Sequence, residues 1–422
     1  MRSTSPLERG GASICGGHRV MQFGAALTES IRQPRNMRMP EIIVIGAGPV
    51  GATFALLAKR QGLKVSLMEA REGASRETRS LALSHGSRDI LDAANAWNAT
   101  LSATEIHAIH TSQKGGFGRS LITREDGGVP ALGYVLSYAD LQTALDTQLE
   151  QQQITVQRGA VVTAFEERGD HVDIRFTQTG SEHVCEASVV VLADGGANLG
   201  KIPAIAIAEK DYGQAALLGH IETDTPHRGT AYERFTPEGP AALLPHGGAN
   251  DYSMVWVSSP ARIEVLKSLD DAAFLAAFQQ HFGHRAGRFT SIAGRRSYPL
   301  RLRTVSSRVV GNIAVIGNAA QALHPVAGQG FNLGLRDAND LARLLADAVR
   351  AQSTFPDALK RYGHERDSDV ERSVGFTDFL VGAFSNDHLA TRVPRGLALA
   401  AVDMLPFARR ALAKRMLFGA LK

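Results

Sequence analysis

The chain has 422 residues, 44% hydrophobic and 21% charged, which is the composition of a globular protein long enough for two joined lobes. Lysine plus arginine exceed aspartate plus glutamate by only 46 to 42, and the resulting charge of +4 argues against a nucleic-acid partner. Cys15 and Cys185 are too isolated for a disulfide framework or a zinc site. His107 and His110 could share one side of a helix, but no third ligand stands near them, so we expect no metal.

Residues 1–36 are rich in Gly, Ser and Arg and show no sustained period. This composition predicts a disordered arm or sequence upstream of a true start at Met37 or Met39, with a transit peptide as the weaker alternative. No apolar run of about 18 residues and no secretory h-region is found, which predicts a cytoplasmic protein.

The first regular unit is a strand, tight turn, helix and strand. Ile42–Ile45 is an apolar run, the turn GAGPVG follows, Ala52–Arg60 has a helical pattern, and Lys64–Met68 predicts the second strand. This order is typical of a dinucleotide-binding βαβ unit.

Within this unit the absent side chains of Gly46, Gly48 and Gly51 permit the tight turn, close pyrophosphate approach and close helix contact, respectively. Glu69 ends the second strand, where an acid accepts ribose hydroxyls, although a solvated strand-end acid is the alternative. An acid there favours the unphosphorylated ribose of FAD or NAD over NADP. The unit alone does not choose between FAD and NAD.

Further strands are predicted along the chain. Those at Ile154–Val162, Val172–Phe176 and Ala187–Leu192, the last ending at Asp194 and Gly195, are assigned to the same lobe. Four alternating strands with glycine-rich turns then predict an antiparallel sheet inserted as a second lobe: Ala215–Glu222, Gly229–Phe235, Pro240–Pro245 and Tyr252–Val257.

The first lobe is predicted to resume with a buried strand, Ile313–Ile316, and a long helix, Phe331–Arg350. The predicted organisation is therefore a discontinuous nucleotide-binding domain, a β-sheet substrate domain and a C-terminal helical tail. Their bounds are 37–211 with 301–385, 212–300, and 386–422, respectively.

The segment Gly317–Asp337, GNAAQALHPVAGQGFNLGLRD, favours FAD. It places Gly328, Gln329 and Gly330 at the start of a helix, where bare backbone can touch a planar ring and the helix N-terminus can stabilise negative charge on a reduced flavin. The alternative is an ordinary glycine loop capping a surface helix.

GAGPVG with Glu69, the pair Asp194 and Gly195, and HPVAGQGFNLGLRD together resemble the class A flavoprotein aromatic hydroxylases over about residues 41–385. The resemblance implies an α/β fold like that of para-hydroxybenzoate hydroxylase, in which a Rossmann-like FAD-binding domain carries an inserted antiparallel β-sheet substrate domain. His324–Asp337 resembles the signature of ubiquinone-biosynthesis hydroxylases. AYERFTPEGPAALLP, residues 231–245, and Asn318 are similar to the 2-polyprenyl-6-methoxyphenol hydroxylase branch.

The resemblance also implies the residues that hold noncovalent FAD. Gly46, Gly48, Gly51 and Glu69 would bind the ADP half, and Val162 would offer its backbone to adenine. The remaining implied positions are Arg79 near the flavin, Asn318 at the ribityl chain, Asp194 and Gly195 for FAD and the passing nicotinamide, Gly328, Gln329, Gly330 and Asn332 beside the isoalloxazine, and the Pro325 carbonyl facing substrate.

As implied by the family, NADH or NADPH reduces FAD, oxygen adds at flavin C4a, and the hydroperoxide hydroxylates a polyprenylated phenol in ubiquinone biosynthesis. No catalytic base is identified. Tyr232 and Arg234 lie on the middle sheet, but alternate polar positions of a half-solvated strand explain them equally well. The alternatives are hydroxylation of a small soluble aromatic in a compact, charged pocket, and a non-catalytic flavin-stabilised scaffold of a quinone-synthesis complex.

The tail from Leu397 to Lys422 is helical in pattern and amphipathic. It predicts either a helix on the anionic inner face of a membrane, useful for a lipophilic phenolic substrate and for contact with other ubiquinone-biosynthesis enzymes, or a helix packed on the protein. Its cations are Arg409, Arg410, Lys414, Arg415 and Lys422, and its apolar residues are Leu405, Phe407, Leu412, Met416 and Phe418.

Overall fold

A computed structural model of the chain describes residues 41–73, 77, 79–322, 329–384 and 389–419. The strands are β1 Glu41–Ile45, β2 Lys64–Glu69, β3 Ser80–Ser84, β4 Thr104–Ile106, β5 Ala108–Gln113, β6 Arg119–Thr123, β7 Gly133–Ser137, β8 Val156–Arg158, β9 Val161–Glu167, β10 Val172–Gln178, β11 Ser181–Ala187, β12 Val189–Leu192, β13 Ile207–Thr223, β14 Thr230–Phe235, β15 Ala241–Pro245, β16 Asp251–Ser258, β17 Phe289–Val305, β18 Val309–Val310, β19 Ile313–Val315 and β20 Gln321–Ala322. The helices are α1 Pro49–Arg60, α2 His85–Ala93, α3 Arg124–Gly127, α4 Tyr138–Gln151, α5 Pro260–Ser268, α6 Asp271–Phe282, α7 Gln329–Arg350, α8 Phe355–Phe384, α9 Leu389–Met404 and α10 Pro406–Phe418.

A six-stranded sheet of order β18-β19-β12-β1-β2-β8 carries the nucleotide-binding unit, and β19, β12, β1, β2 and β8 run parallel. Side chains alternate across β1, so Ile42 and Val44 pack with α1, α4 and α7 on one face. Ile43 and Ile45 pack on the other face against the antiparallel sheet β9–β11. Burial on both faces explains why β1 reads as an uninterrupted apolar run.

One strand prediction was wrong. Ile154–Val162 is not a single strand: β8 pairs with β2, whereas β9 pairs with β10 in another sheet. Gly159 lies between them at φ +70°, a conformation that directs the chain from one sheet to the next. The predicted helix at Ala52 begins earlier, at Pro49, because proline is well suited to the first helical turn.

The second large sheet has the order β20-β17-β13-β16-β15-β14-β5-β6. The four predicted strands of this region are confirmed within β13, β14, β15 and β16. The sheet is antiparallel except for β14 and β5, which run parallel, and it also takes β5 and β6 from outside residues 212–300. His107 immediately precedes β5, and His110 lies within it. The prediction that the two histidines share one side of a helix was therefore wrong.

The faces of this sheet have different neighbours. Trp256 faces α6, where its ring lies 5.2 Å from that of Phe278. Residues of the opposite parity, such as Val255 and Ala242, line a cavity. A small sheet, β3-β7-β4, lies across that cavity.

The tail predicted as one helical segment is two helices. Helix α9 ends at Met404, and α10 begins at Pro406, a residue well suited to the first turn of a helix. None of the described helices combines the length and apolar character needed to cross a lipid bilayer.

Candidate active site

The turn between β1 and α1 leaves no room for a side chain at Gly46 or at Gly51. Gly46 has φ +103°, and a Cβ on it would lie 2.8 Å from the Ala193 carbonyl oxygen. A Cβ on Gly51 would lie 2.1 Å from the Gly46 oxygen. Gly48 is the N-cap of α1 and supplies no side-chain cap, so the first amide groups of the helix are available to an anion.

Glu69 is buried, with 6% of its surface exposed, which excludes a solvated strand-end acid. Its carboxylate accepts the Ala47 N–H at 2.9 Å and the backbone N–H and guanidinium of Arg71. Burial raises the pKa of Glu69, but the hydrogen bonds from Arg71 and Ala47 outweigh burial and hold the pKa below its usual value. An ionised acceptor therefore lies beside the glycine turn.

Arg79 lies close to the same turn. Its guanidinium stands over the Tyr138 ring, 5.4 Å from the centroid, and its carbonyl accepts the Tyr138 N–H at 3.0 Å. A Cβ on Gly48 would lie 3.7 Å from the Tyr138 hydroxyl. The structure thus brings Arg79 to the N-terminal side of α1.

Asp194 uses its carboxylate within its own turn. It accepts the Gly196 N–H at 2.8 Å and the Asn198 N–H at 2.9 Å, and Gly195 and Gly196 have positive φ. This geometry is that of the turn-forming Asp-Gly alternative. The carbonyl of Val162 accepts a hydrogen bond from Lys201.

Arg303, which sequence reasoning missed, ties two of the predicted site loops together. From β17 it donates to the carbonyls of Gly195 and Asn318, the latter at 2.8 Å. Asn318 itself is exposed. An arginine on a strand rich in arginines gave no signal that would distinguish it.

Asp337 is the last residue of the sequence motif, and its side chain anchors that motif. Its fully buried carboxylate accepts the Gly317 N–H at 2.9 Å, the Gln321 amide at 2.7 Å and the Arg366 guanidinium at 2.7 Å. Arg366 also bonds Asp369 at 2.7 Å. A buried acid compensated in this way fixes the loop after β19 to helix α7.

The start of α7 lies beside the cavity. The helix begins at Gln329, two residues before the predicted start, and Gly330 is half-buried as its second residue. Asn332 accepts the Ser84 N–H at 2.8 Å and donates to the Ala82 carbonyl at 3.1 Å, so its amide binds β3. Pro325, Gly328 and the side chain of Gln329 lie outside the described residues.

The cavity itself lies between the small sheet, the eight-stranded sheet and α10, with about 1030 Å³ of empty space including its open mouth. Most of its lining is aliphatic, from residues such as Ile109, Leu244, Val257 and Met416. The described polar residues in its lining are Ser84, Tyr232, Glu233 and Asn332, and the ring of Tyr232 lies on the other face of the sheet, 6.3 Å from that of Phe282. An apolar cavity of this kind suits a lipophilic ligand better than a small charged one.

Residues 39–377 match the family model described as FAD binding domain. The chain is 30% identical to ubiquinone hydroxylase UbiL of Rhodospirillum rubrum over 394 residues, covering 91% of both chains. It is 30% identical to 3-demethoxyubiquinol 3-hydroxylase of Escherichia coli over 376 residues, covering 86% of this chain and 94% of that protein.

The chain belongs to the family of FAD-dependent ubiquinone hydroxylases. It is a flavoprotein aromatic monooxygenase, as the sequence motifs predicted. The solved structure of p-nitrophenol 4-monooxygenase from Pseudomonas putida matches this hydroxylase with a TM-score of 0.74 over 91% of this chain and all of that one, at 16% identity. That likeness confirms the predicted fold class.

The residues of this hydroxylase fit FAD. The glycine turn, the open N-terminus of α1 and the ionised Glu69 form a cradle for a pyrophosphate and a ribose. Asp337 holds the backbone of Gly317, immediately before the exposed Asn318, in a fixed position. These features form a binding surface along the carboxyl edge of the parallel sheet.

In the C-terminal helix α10 of the hydroxylase, some apolar residues of the predicted tail are buried and others are exposed. Ala413 and Leu417 are buried with Ile106 and Ile122, and Leu412 and Met416 pack beside them. Arg409 pairs with Asp126 at 3.1 Å. In contrast, Phe407 is 70% exposed. Helix α10 therefore packs on the protein, as one alternative predicted, and keeps part of its apolar surface open.

Proposed function

We propose that this hydroxylase acts on the ring of a polyprenylated phenol in ubiquinone biosynthesis, using NADH or NADPH and molecular oxygen. The observation that carries the proposal is the aliphatic cavity beside the start of α7. Among the described lining residues Glu233 alone is charged, which disfavours the alternative of a small, charged aromatic. The named hydroxylase relatives support a phenolic ring as the reacting group.

The proposed cofactor site follows the surface at the sheet edge. Gly46, Gly48, Gly51 and Glu69 hold the ADP half of noncovalent FAD. The other proposed contacts are Val162 with adenine, Arg79 with the flavin side, Asp194 and Gly195 with FAD and the nicotinamide, Asn318 with the ribityl chain, and Gly328, Gln329, Gly330 and Asn332 with the ring.

Bound FAD supplies the oxygen-activating chemistry. The protein orients the reacting rings and excludes water from them. The N-terminus of α7 would lie at the flavin ring, where its amide dipoles would stabilise negative charge. Asn332, held by the backbone of β3, fixes this helix end against the cavity. The aliphatic walls would exclude water from the reacting ring. Pro325 lies outside the described residues, and its carbonyl stays the contact that the family resemblance implies on the substrate side.

Purified protein tests the cofactor assignment directly. We expect a yellow protein from which acid precipitation releases FAD, because the proposed contacts are all noncovalent. Colour that remains in the pellet, or extracted NAD in place of FAD, would contradict the assignment.

Turnover tests the substrate. We expect a prenylated 2-methoxyphenol to stimulate NAD(P)H oxidation with one hydroxylated product per nicotinamide, and a carboxylated phenol without a prenyl chain to be turned over at least about ten-fold less efficiently. The reverse preference would support the small-aromatic alternative. Flavin binding without product from either substrate would support the non-catalytic scaffold.

A lipophilic substrate makes contact with a membrane useful, and we propose that the protein works peripherally at the cytoplasmic face of the inner membrane, near other enzymes of the pathway. The apolar residues of the tail that remain exposed support this placement. Fractionation of cells followed by a salt wash tests it, since peripheral protein is released by salt and protein that never sediments with membranes contradicts it.

A further inference from the structure

A second cavity lies on the other side of the eight-stranded sheet from the aliphatic one. It is bounded by β5, β6, the connection between α6 and β17, and α9, and its empty space is about 900 Å³ including open solvent. Arg119, Arg234 and Arg285 line it, and we call it the arginine cavity. Arg234 pairs in register with Ala241, whose neighbour Ala242 lines the aliphatic cavity, so the two cavities open on opposite faces of the sheet.

The arginines of this cavity have N–H donors that are not used in hydrogen bonds or ion pairs within the described part of the chain. Arg234 is half-buried, its Nε has no hydrogen-bond partner, and its Nη1 reaches the Ser112 hydroxyl only at 3.4 Å. Within the described part of the chain, Arg119 and Arg285 form no ion pair. Asp403 is the one described acid in the lining, and it accepts the Leu121 N–H at 2.9 Å. The described lining thus carries three guanidinium groups and one carboxylate, which already accepts a hydrogen bond. This excess of positive charge favours binding of a multiply charged anion.

The electrostatics of the neighbourhood agree with this charge balance. Burial, and then the charge of Arg285, lower the pKa of Arg234. Burial, followed by Arg285, also lowers the pKa of His110 to about 4. The field of the uncompensated arginines therefore reaches neighbouring groups, and an anion would relieve it.

An exposed apolar ridge borders the arginine cavity. Leu397, Ala400 and Met404 follow one face of α9, and both Ala400 and Met404 line the cavity. Met404 is 79% exposed, Phe407 in the first turn of α10 is 70% exposed, and Phe117 lies beside the adjoining Gly396. Six of the twelve large apolar side chains that are exposed in the described residues lie on the ridge or on segments that adjoin it: Phe117, Leu121, Leu397, Met404, Leu405 and Phe407.

We propose that the arginine cavity binds the phosphate headgroup of an acidic phospholipid while the ridge of Leu397, Met404 and Phe407 enters the lipid surface. Guanidinium groups recognise phosphate, and an apolar ridge beside them matches the acyl boundary below a headgroup. A soluble phosphate ligand would account for the arginines but not for the ridge. The proposal rests on the proposed function for its purpose, since docking brings the lipophilic substrate to α10, one wall of the aliphatic cavity.

Vesicle sedimentation with the FAD-loaded protein tests the headgroup. We expect binding to phosphatidylcholine vesicles with 30% phosphatidylglycerol and little binding to phosphatidylcholine alone. Arg119→Gln with Arg285→Gln should weaken binding by about 25-fold, roughly five-fold for each arginine. The matched control, Arg262→Gln with Arg350→Gln, removes two exposed cations elsewhere and should change binding by less than about two-fold.

A second pair of variants tests the ridge. Met404→Ser with Phe407→Ser should weaken binding to the acidic vesicles at least about ten-fold, because both side chains lose contact with lipid. Val265→Ser with Val349→Ser changes exposed apolar residues away from the ridge and should bind as the parent protein does. Equal losses in both pairs, or in neither, would overturn the proposed surface.

Two further measurements distinguish other anions. Saturable binding of inorganic pyrophosphate that Arg119→Gln with Arg285→Gln abolishes, together with unchanged vesicle binding, would assign the cavity to a soluble phosphate ligand and overturn the proposal. A raised KM for NADPH in that variant with unchanged vesicle binding would assign it to the nicotinamide nucleotide. Hydroxylation of a detergent-solubilised substrate should persist in all variants, so failure of docking and failure of the proposed function are separate results.

Discussion

The backbone N–H of Gly317 donates to the buried carboxylate of Asp337 at 2.9 Å, which joins the loop after β19 to helix α7. The other oxygen of that carboxylate accepts the Arg366 guanidinium at 2.7 Å. The loop that precedes Asn318 and the helix that begins with Gln329 and Gly330 therefore share one charged anchor. Disturbing this anchor should alter cofactor binding without any change in a residue proposed to touch FAD.

Asp337→Asn tests the anchor. The amide retains shape but leaves Arg366 with less compensating charge in a buried position, and we expect unfolding to become easier by about 3 kcal/mol. FAD occupancy should fall with stability. Asp347→Asn, an exposed position of the same helix, is the control and should cost less than about 1 kcal/mol. Urea denaturation and extracted flavin measure both, and an Asp337→Asn protein as stable as the control would contradict the anchor.

Gly51→Ala tests the glycine turn. Because the new Cβ would lie 2.1 Å from the Gly46 oxygen, the turn must shift, and we expect at least about a ten-fold loss of FAD affinity. Gly200→Ala is the matched control, since its Cβ meets no atom within 4 Å. Fluorescence titration of the apoprotein with FAD gives both affinities. Equal affinities would remove the turn from the cofactor site.

Gly330→Val tests the placement of the start of α7 against the flavin ring. We expect FAD to be retained and hydroxylated product per flavin to fall on the order of 100-fold, because a displacement of about 1 Å disrupts alignment. Gly375→Val, in α8 with no atom within 4 Å of its Cβ, controls for a branched residue in a helix. Product per flavin that matches the control would place the reacting ring elsewhere.

Gly334→Ala, one turn further along α7, should lower stability and leave turnover per bound flavin unchanged, the reverse of the effect expected for Gly330→Val. Its Cβ would lie 2.9 Å from a Val50 methyl group and 3.1 Å from the Gly317 Cα, where α7 packs on α1. We expect a loss of about 1–3 kcal/mol in stability from this overpacking. Turnover per bound flavin should remain near that of the parent, as a melting curve and a product assay on one preparation can establish.

Ala242→Trp tests the aliphatic cavity as the substrate site. The indole would occupy space that a prenyl chain needs, and we expect kcat/KM for a prenylated phenol to fall about 100-fold with little change in FAD content. Ala261→Trp, on the exposed side of α5, is the control. If the two variants hydroxylate the prenylated phenol equally well, the substrate binds in another place.

Because His110 is buried in its neutral form, we expect the folding stability of the protein to fall at acid pH. It is 6% exposed, and burial lowers its pKa to about 4, below the usual value of about 6.5. The unfolded chain therefore binds a proton more readily, and stability is lost as the pH falls from 6.5 towards 4, by about 2 kcal/mol at pH 5. In His110→Gln the change in stability between pH 7 and pH 5 should be smaller by that amount, as urea unfolding at each pH can measure.

Much of the nucleotide-binding unit was predictable because its signals are local. The tight turn, the apolar strand β1 and the acid at the end of β2 lie within 29 residues, from Glu41 to Glu69, and each follows from steric or periodic rules of the backbone. The four strands of the middle region were found for the same reason. The break between β8 and β9 was missed because an apolar run does not reveal that its two halves pair in different sheets.

The sequence by itself therefore determined the fold class, the family and the glycine turn that suits FAD. Only the tertiary structure decided which polar groups hold the other loops of the proposed site and the start of α7, since Arg303, Asp337 and Asn332 act on partners that are 15 to 250 residues away. The tertiary structure also decided that α10 forms one wall of the aliphatic cavity. It placed three arginines in a second cavity, beside an exposed apolar ridge. Such contacts depend on how distant elements pack, and hydrophobic period and turn chemistry carry no record of packing between distant segments.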